Sequence, residues 1–86
     1  MQLKKTLSDY TEYQFTQVVQ LIIDCEGTEK FQTDLIVHLN ELAAGAGGSD
    51  LIYYPEEGAD SSAAGVVSAI QTWCQANGLP GLKPPL

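Results

Sequence analysis

The chain has 86 residues, a formal net charge of −7 and 44% hydrophobic residues. That length accommodates one small domain, residues 1–86, near the lower limit for folding on an apolar core alone, and the apolar content argues against wholesale disorder. The charge excludes nucleic acid as a direct ligand, because phosphate binding requires the opposite sign, and no apolar run approaches the roughly 20 residues that span a bilayer, so no membrane role is expected.

The first six residues carry Lys4 and Lys5 with no apolar stretch behind them. They do not read as a secretory signal, and the expected compartment is the cytoplasm. Thr11 with Gln14 three residues on forms a capping-box pattern. Phe15, Val18, Val19 and Ile22 then recur at the spacing of one apolar helix face, predicting a helix over residues 11–25 that Gly27 ends. Thr28 is placed to cap the next helix, with Glu29 in its first turn. Phe31, Leu35, Leu39 and Leu42 carry that helix to about residue 43.

Ala44-Gly45-Ala46-Gly47-Gly48 reads as a flexible breaker. Ser49 can cap a short turn over Asp50 to Tyr54, which Pro55 closes, and Glu56 to Ser61 form an acidic loop. Ser62 can cap a last helix that buries Val66, Val67, Ile70 and Trp73 and stops at Gly78. Leu79 to Leu86, with three prolines, is expected to lie as an extended tail. There is no repeat and no alternating strand pattern. The predicted fold is all-α: a small antiparallel four-helix bundle with a very short third helix.

Little in the chain supports catalysis. Cys25 and Cys74 are far apart and read as free thiols, and with a single histidine they make no metal-ligand cluster. His38 sits inside the second helix with no nucleophile recognisable beside it, so it reads as a packing residue. Glu56 and Glu57 are adjacent on a loop, unlike a spaced acid–base pair. The glycines at 45, 47 and 48 lack the lysine and the strand–loop–helix setting of a phosphate loop. No enzyme, cofactor or metal is expected.

The charge is informative for where it sits. Nine of the eleven acidic residues fall between Asp24 and Asp60, a stretch in which Lys30 is the only lysine or arginine. Such a field either keeps a surface soluble or steers a basic protein partner onto it.

Within that stretch lies Ser49-Asp50-Leu51-Ile52-Tyr53-Tyr54-Pro55-Glu56-Glu57-Gly58. Neighbouring side chains on a helix diverge by roughly 100°, so Leu51, Ile52, Tyr53 and Tyr54 cannot all face one core. Tyrosines beside a carboxylate on an exposed, proline-limited element have the composition of a binding hot spot. On the second helix, Glu29, Gln32, Thr33, Ile36, Val37 and Asn40 fall mostly on neighbouring or outer faces. Ile36 and Val37 are more apolar than an exposed face requires; they either widen the buried stripe or join a contact surface beside the tyrosines.

The block from Ser49 to Pro55, followed by Gly58, Ser62, Gly65, Val67 and Trp73, resembles the immunity proteins of nuclease colicins and S-type pyocins. The opening Leu7-Ser8-Asp9-Tyr10-Thr11-Glu12 with Phe15 and the ending Ala76-Asn77-Gly78-Leu79-Pro80-Gly81 are similar to that family as well. The likeness covers nearly the whole chain. It implies a four-helix fold with a very short third helix, and inhibition of a cognate bacteriocin nuclease in a 1:1 heterodimer. In that family the inhibitor sits beside the active site of the basic DNase domain, excludes DNA and protects the producing cell, and it can leave that cell bound to the toxin.

Carried across by motif, Asp50, Tyr53, Tyr54 and Pro55 would be the partner-binding anchor. Glu29, Gln32, Thr33, Ile36, Val37 and Asn40 would set partner specificity. Two features depart from the family pattern. Residues 44–48 replace a segment that usually contains His-Pro, which leaves the approach angle of the short helix open. Ser62-Ala63 replaces a usual Ser-Pro and loses the preset φ of proline at the first helical position. Both are expected to lower stability modestly.

Two other classes compete. An acyl-carrier-like protein would fit in size, charge and helix count, but its prosthetic group requires an Asp-Ser-Leu, and the order here is Ser49-Asp50-Leu51. A generic helical interaction protein would share the surface without the nuclease, which a DNase cleavage assay distinguishes.

Overall fold

The computed structural model describes residues 3–55, 57, 58, 60 and 62–83. Four α-helices follow one another: α1 Glu12–Ile23, α2 Glu29–Ala43, α3 Asp50–Tyr53 and α4 Ala63–Ala76. A 3₁₀ turn, Leu7–Asp9, precedes α1, and a second, Ala44–Ala46, follows α2. The described residues form no strand. α1 packs against both α2 and α4, and the second 3₁₀ turn touches α2 and α4.

The three long helices begin where side-chain oxygens can take their first free N–H groups. Thr11 Oγ1 accepts the Gln14 N–H at 3.2 Å while the Gln14 side chain accepts the Thr11 N–H at 3.0 Å, completing the expected capping box. Thr28 accepts from Phe31 at 3.1 Å and Ser62 from Gly65 at 3.2 Å. Each such cap stabilises its helix by about 1 kcal/mol. The cap at Ser62 therefore forms without the proline that usually follows. Asp60 adds to it by accepting the Ser62 N–H at 3.0 Å, and the hydrogen bonds from Ser62 hold the Asp60 carboxyl below its ordinary pKa. Residues 56, 59 and 61 of the expected acidic loop lie outside the described residues.

α1 stops earlier than expected, and not at Gly27. Asp24 is the C-cap and Cys25 takes the left-handed conformation at φ +53°. The N–H of Glu26 bonds the carbonyl of Leu21 and that of Cys25 bonds Ile22, each at 3.2 Å, which is the Schellman closing pattern. A cysteine in the position that glycine normally fills carries strain between its Cβ and the backbone. Cys25→Gly is therefore expected to raise the unfolding free energy by about 0.5–1 kcal/mol, read as a higher urea midpoint at constant m-value. α4 ends by the same pattern at Gly78, as expected, with Leu79 N–H on Cys74 O at 2.9 Å.

The core is drawn from all three long helices. Phe15, Val19, Leu35, Leu39, Ala43 and Ile70 are fully buried, and Val18, Ile22, Val66 and Val67 nearly so. Trp73 departs from its expected core position. It is half-buried at the edge of the apolar face, and Cys74, four residues from Ile70, takes the inner position. Both cysteines are free thiols, Cys25 exposed and Cys74 buried, and burial pushes the Cys74 thiol pKa up.

The segment after α4 is not a free extended tail. Leu82 is buried, its N–H reaches Gln71 Oε1 at 2.9 Å, and the Lys83 N–H donates to the Tyr10 carbonyl at 2.8 Å. Leu79 to Lys83 thus runs back against α4 and reaches Tyr10, just before α1. The remainder of the expected tail, 84–86, lies outside the described residues.

Candidate functional site

α3 is a single helical turn, and its side chains divide as their angular spacing requires. Leu51 and Ile52 are half-buried against the core. Tyr53 is 49% and Tyr54 79% exposed, with Asp50 and Pro55 also exposed. Neither tyrosine hydroxyl has a hydrogen-bond partner among the described residues, so both rings offer an apolar face and an unused polar tip. Four expected anchor residues are therefore together on one exposed element.

The helix is shorter by one residue than expected, and its cap is different. Ser49 itself sits in helical backbone space and makes no side-chain cap hydrogen bond. Its N–H is taken instead by Asn40 Oδ1 on α2, at 2.8 Å. The alanine–glycine stretch before it is likewise not a flexible breaker. It forms the second 3₁₀ turn, closed by Gly47 N–H on Ala44 O at 3.1 Å and Gly48 N–H on Ala43 O at 2.8 Å. Two of its glycines are there for close approach: a Cβ at Gly45 would run into the Trp73 ring, and one at Gly48 into the Asn40 side chain.

The six residues expected to set specificity share one stripe of α2, since 29, 33 and 37 and then 32, 36 and 40 recur every four residues. Glu29, Thr33, Val37 and Asn40 are exposed, Val37 by 50%. Ile36 is half-buried and packs on the core, so of the two apolar residues it widens the buried stripe while Val37 belongs to the surface. Gln32 is half-buried and tied inward, its amide donating to the Leu21 carbonyl at 2.9 Å and also to the Glu26 carbonyl. It thereby holds the end of α1 to α2. The inward bonds of Gln32 and Asn40 could not be read from periodicity, which reports which face a residue occupies and not what it reaches.

Lys30 pairs with Asp34 at 3.1 Å on the exposed side of α2, the only ion pair among the described residues. Asp24, Glu26, Glu29, Glu41 and Asp50 stand without a cationic partner there, so the negative field around the stripe and α3 is largely uncompensated. On the far side of α3 a groove of about 400 Å³ runs between Leu51, Tyr54 and Pro55 and the α4 residues Val66 and Ala69. The described residues contain no group of three or more potential metal ligands, and no helix long and apolar enough to cross a membrane.

Fold and surface together define a small acidic helical protein whose distinctive feature is an exposed aromatic turn beside a mixed helix stripe. Residues 7–76 match the family of colicin immunity proteins and pyocin immunity proteins. The pyocin-S1 and pyocin-S2 immunity proteins of Pseudomonas aeruginosa are each 36% identical over 86 residues, covering 94% of this chain and 98% of theirs. A chain of the crystal structure of the pyocin AP41 DNase–immunity complex superposes with a TM-score of 0.85 at 30% identity, covering 100% of this chain and 99% of that one. A chain of the crystal structure of the mutant pyocin S8 nuclease domain with its cognate immunity protein gives 0.79 at 34% identity, covering 93% and 99%. The protein belongs to the colicin/pyocin immunity family.

Proposed function

We propose that this protein is a bacteriocin immunity protein that binds the DNase domain of its cognate toxin 1:1, beside the active site, and inhibits it by denying DNA access. The observation that carries the reading is the pair of exposed tyrosines at the end of α3, their hydroxyls without a partner among the described residues, next to the α2 stripe in a chain of this family. The tyrosines with Asp50 and Pro55 supply the anchor. Central aromatic residues dominate interface energetics because they remove much area from water at small conformational cost. Glu29, Thr33, Val37 and Asn40, with Gln32 and Ile36 behind them, discriminate between toxins, because a mismatched side chain there clashes or leaves a charge unpaired. The uncompensated carboxylates steer the basic nuclease and repel DNA. The protein itself does no chemistry and acts in the cytoplasm of the producing cell, leaving it only bound to the toxin.

A DNase cleavage assay tests the reading. Adding the protein to a panel of bacteriocin nuclease domains, including one encoded beside its gene, should abolish cleavage by at least one at near-stoichiometric ratio. If every nuclease cleaves at its uninhibited rate with the protein in excess, the proposal fails.

A further inference from the structure

We infer that Asn40 is a positioning residue for the aromatic anchor: its carboxamide, reaching across from α2, sets where α3 begins and so where Tyr53 and Tyr54 point. The inference rests on the nuclease-binding reading above and revises the part Asn40 plays in it, from contacting the toxin to aiming the residues that do.

A helix of one turn cannot hold its own place, because nucleation is unfavourable and few of its hydrogen bonds are internal. α3 must take its orientation from what precedes it. The normal device, a Ser49 side-chain cap, is not used. The Ser49 N–H is held instead by Asn40 Oδ1 at 2.8 Å. The carbonyl of the same residue then receives the N–H groups of Ile52 and Tyr53, at 3.0 and 3.1 Å. The Asn40 amide is thus linked through one peptide residue to the backbone that carries the first tyrosine.

The approach of the chain to Asn40 is equally specific. Gly48 is buried with φ +51°, and a Cβ there would meet the Asn40 Oδ1 and lie 3.3 Å from its Cα. Only glycine allows the backbone so near α2, and that proximity is what brings the Ser49 N–H within reach. The glycine and the asparagine are therefore two halves of one joint. A binding constellation must be held to within roughly 0.5 Å by hydrogen bonds behind it, and no other side chain among the described residues bonds the backbone of α3 or of Ser49.

The experiment compares N40A, N40D and wild type, with S62A as a control that weakens the α4 cap and removes no hydrogen bond of the joint. The probes are the nuclease domains of pyocin AP41 and pyocin S8, with dissociation rates read by stopped flow, and amide exchange of Ser49 in the free protein. N40A should speed dissociation about tenfold from both nucleases alike and speed Ser49 exchange by about the same factor, since one hydrogen bond is lost. N40D retains an acceptor oxygen and should return both readouts to within about threefold of wild type. S62A should lower thermal stability without changing either. The inference is overturned if N40A leaves Ser49 exchange unchanged, or if S62A speeds dissociation as much as N40A does. It is also overturned if N40A changes the ratio between the two nucleases tenfold while N40D fails to restore it, because Asn40 then reads the partner directly. Should wild type bind neither nuclease, Ser49 exchange decides the positioning role by itself, and the binding reading stands or falls on the cleavage panel above.

Discussion

Tyr54→Ala should weaken the complex with the cognate nuclease by at least about 2 kcal/mol, roughly thirtyfold, with nearly all of the loss in the dissociation rate. The ring is 79% exposed in the free protein and contributes little to the core, so removing it should leave the unfolding midpoint within about 0.5 kcal/mol of wild type. That contrast makes the measurement clean. Calorimetric titration gives the affinity, and urea unfolding of the same sample gives the stability. A folded Tyr54→Ala protein that binds as tightly as wild type would remove Tyr54 from the anchor. Tyr54→Phe separates the ring from the hydroxyl. If the hydroxyl meets a buried donor or acceptor on the toxin, its loss leaves that partner unpaired and by itself costs about 1–3 kcal/mol by the usual penalty.

Tyr10→Phe should destabilise the fold itself, by roughly 2 kcal/mol. Tyr10 is 2% exposed and its ring lies against Phe15, with centroids 5.4 Å apart. Its hydroxyl oxygen accepts the Lys4 N–H at 2.9 Å and lies 2.7 Å from Nε2 of buried His38. The imidazole tautomer sets the direction of that bond: a neutral ring with its hydrogen on Nδ1 accepts the hydroxyl proton at Nε2, and the other tautomer donates to the same oxygen. Phenylalanine keeps the packing and leaves both groups without their partner. Unfolding in urea checks the loss; a midpoint equal to wild type would mean that water replaces the hydroxyl without penalty.

The same contact gives a pH dependence with a definite sign. Burial lowers the His38 pKa below its ordinary value of 6.5, with the Glu41 carboxylate opposing that shift less strongly. Below pH 6.5 the unfolded chain therefore binds a proton that the folded chain refuses. The stabilisation from neutral His38 is complete above 6.5 and is lost as the pH falls through the lower folded pKa. His38→Gln retains an acceptor for Tyr10 and should flatten that slope. A slope in His38→Gln equal to wild type would place its origin in the carboxylates.

The long helices were legible because each pairs a recurring apolar face with a Thr or Ser at its start, and Thr11, Thr28 and Ser62 all cap as read. The exposed tyrosines were legible for a complementary reason: four bulky neighbours on one turn exceed what one core can cover. Short or cross-chain features were not. The turn at Leu7–Asp9 is too brief for periodicity, and the left-handed Cys25 sits where a rule based on glycine pointed to Gly27. Trp73 is the right size for a core residue, but its place at the edge of α4 follows from packing over Gly45.

Composition, spacing and one aromatic block by themselves determined an acidic all-α chain with exposed tyrosines at its shortest helix, because those properties depend on residue type and local angle. Tertiary structure decided how that helix is held. The residues responsible, Asn40, Gly48 and Ser49, are separated along the chain and become partners only when α2 ends and the backbone turns back against it. A hydrogen bond between a helix side chain and a loop N–H leaves no periodic trace, so a stretch of alanine and glycine that reads as slack proves to be the closest-fitting part of the surface's support.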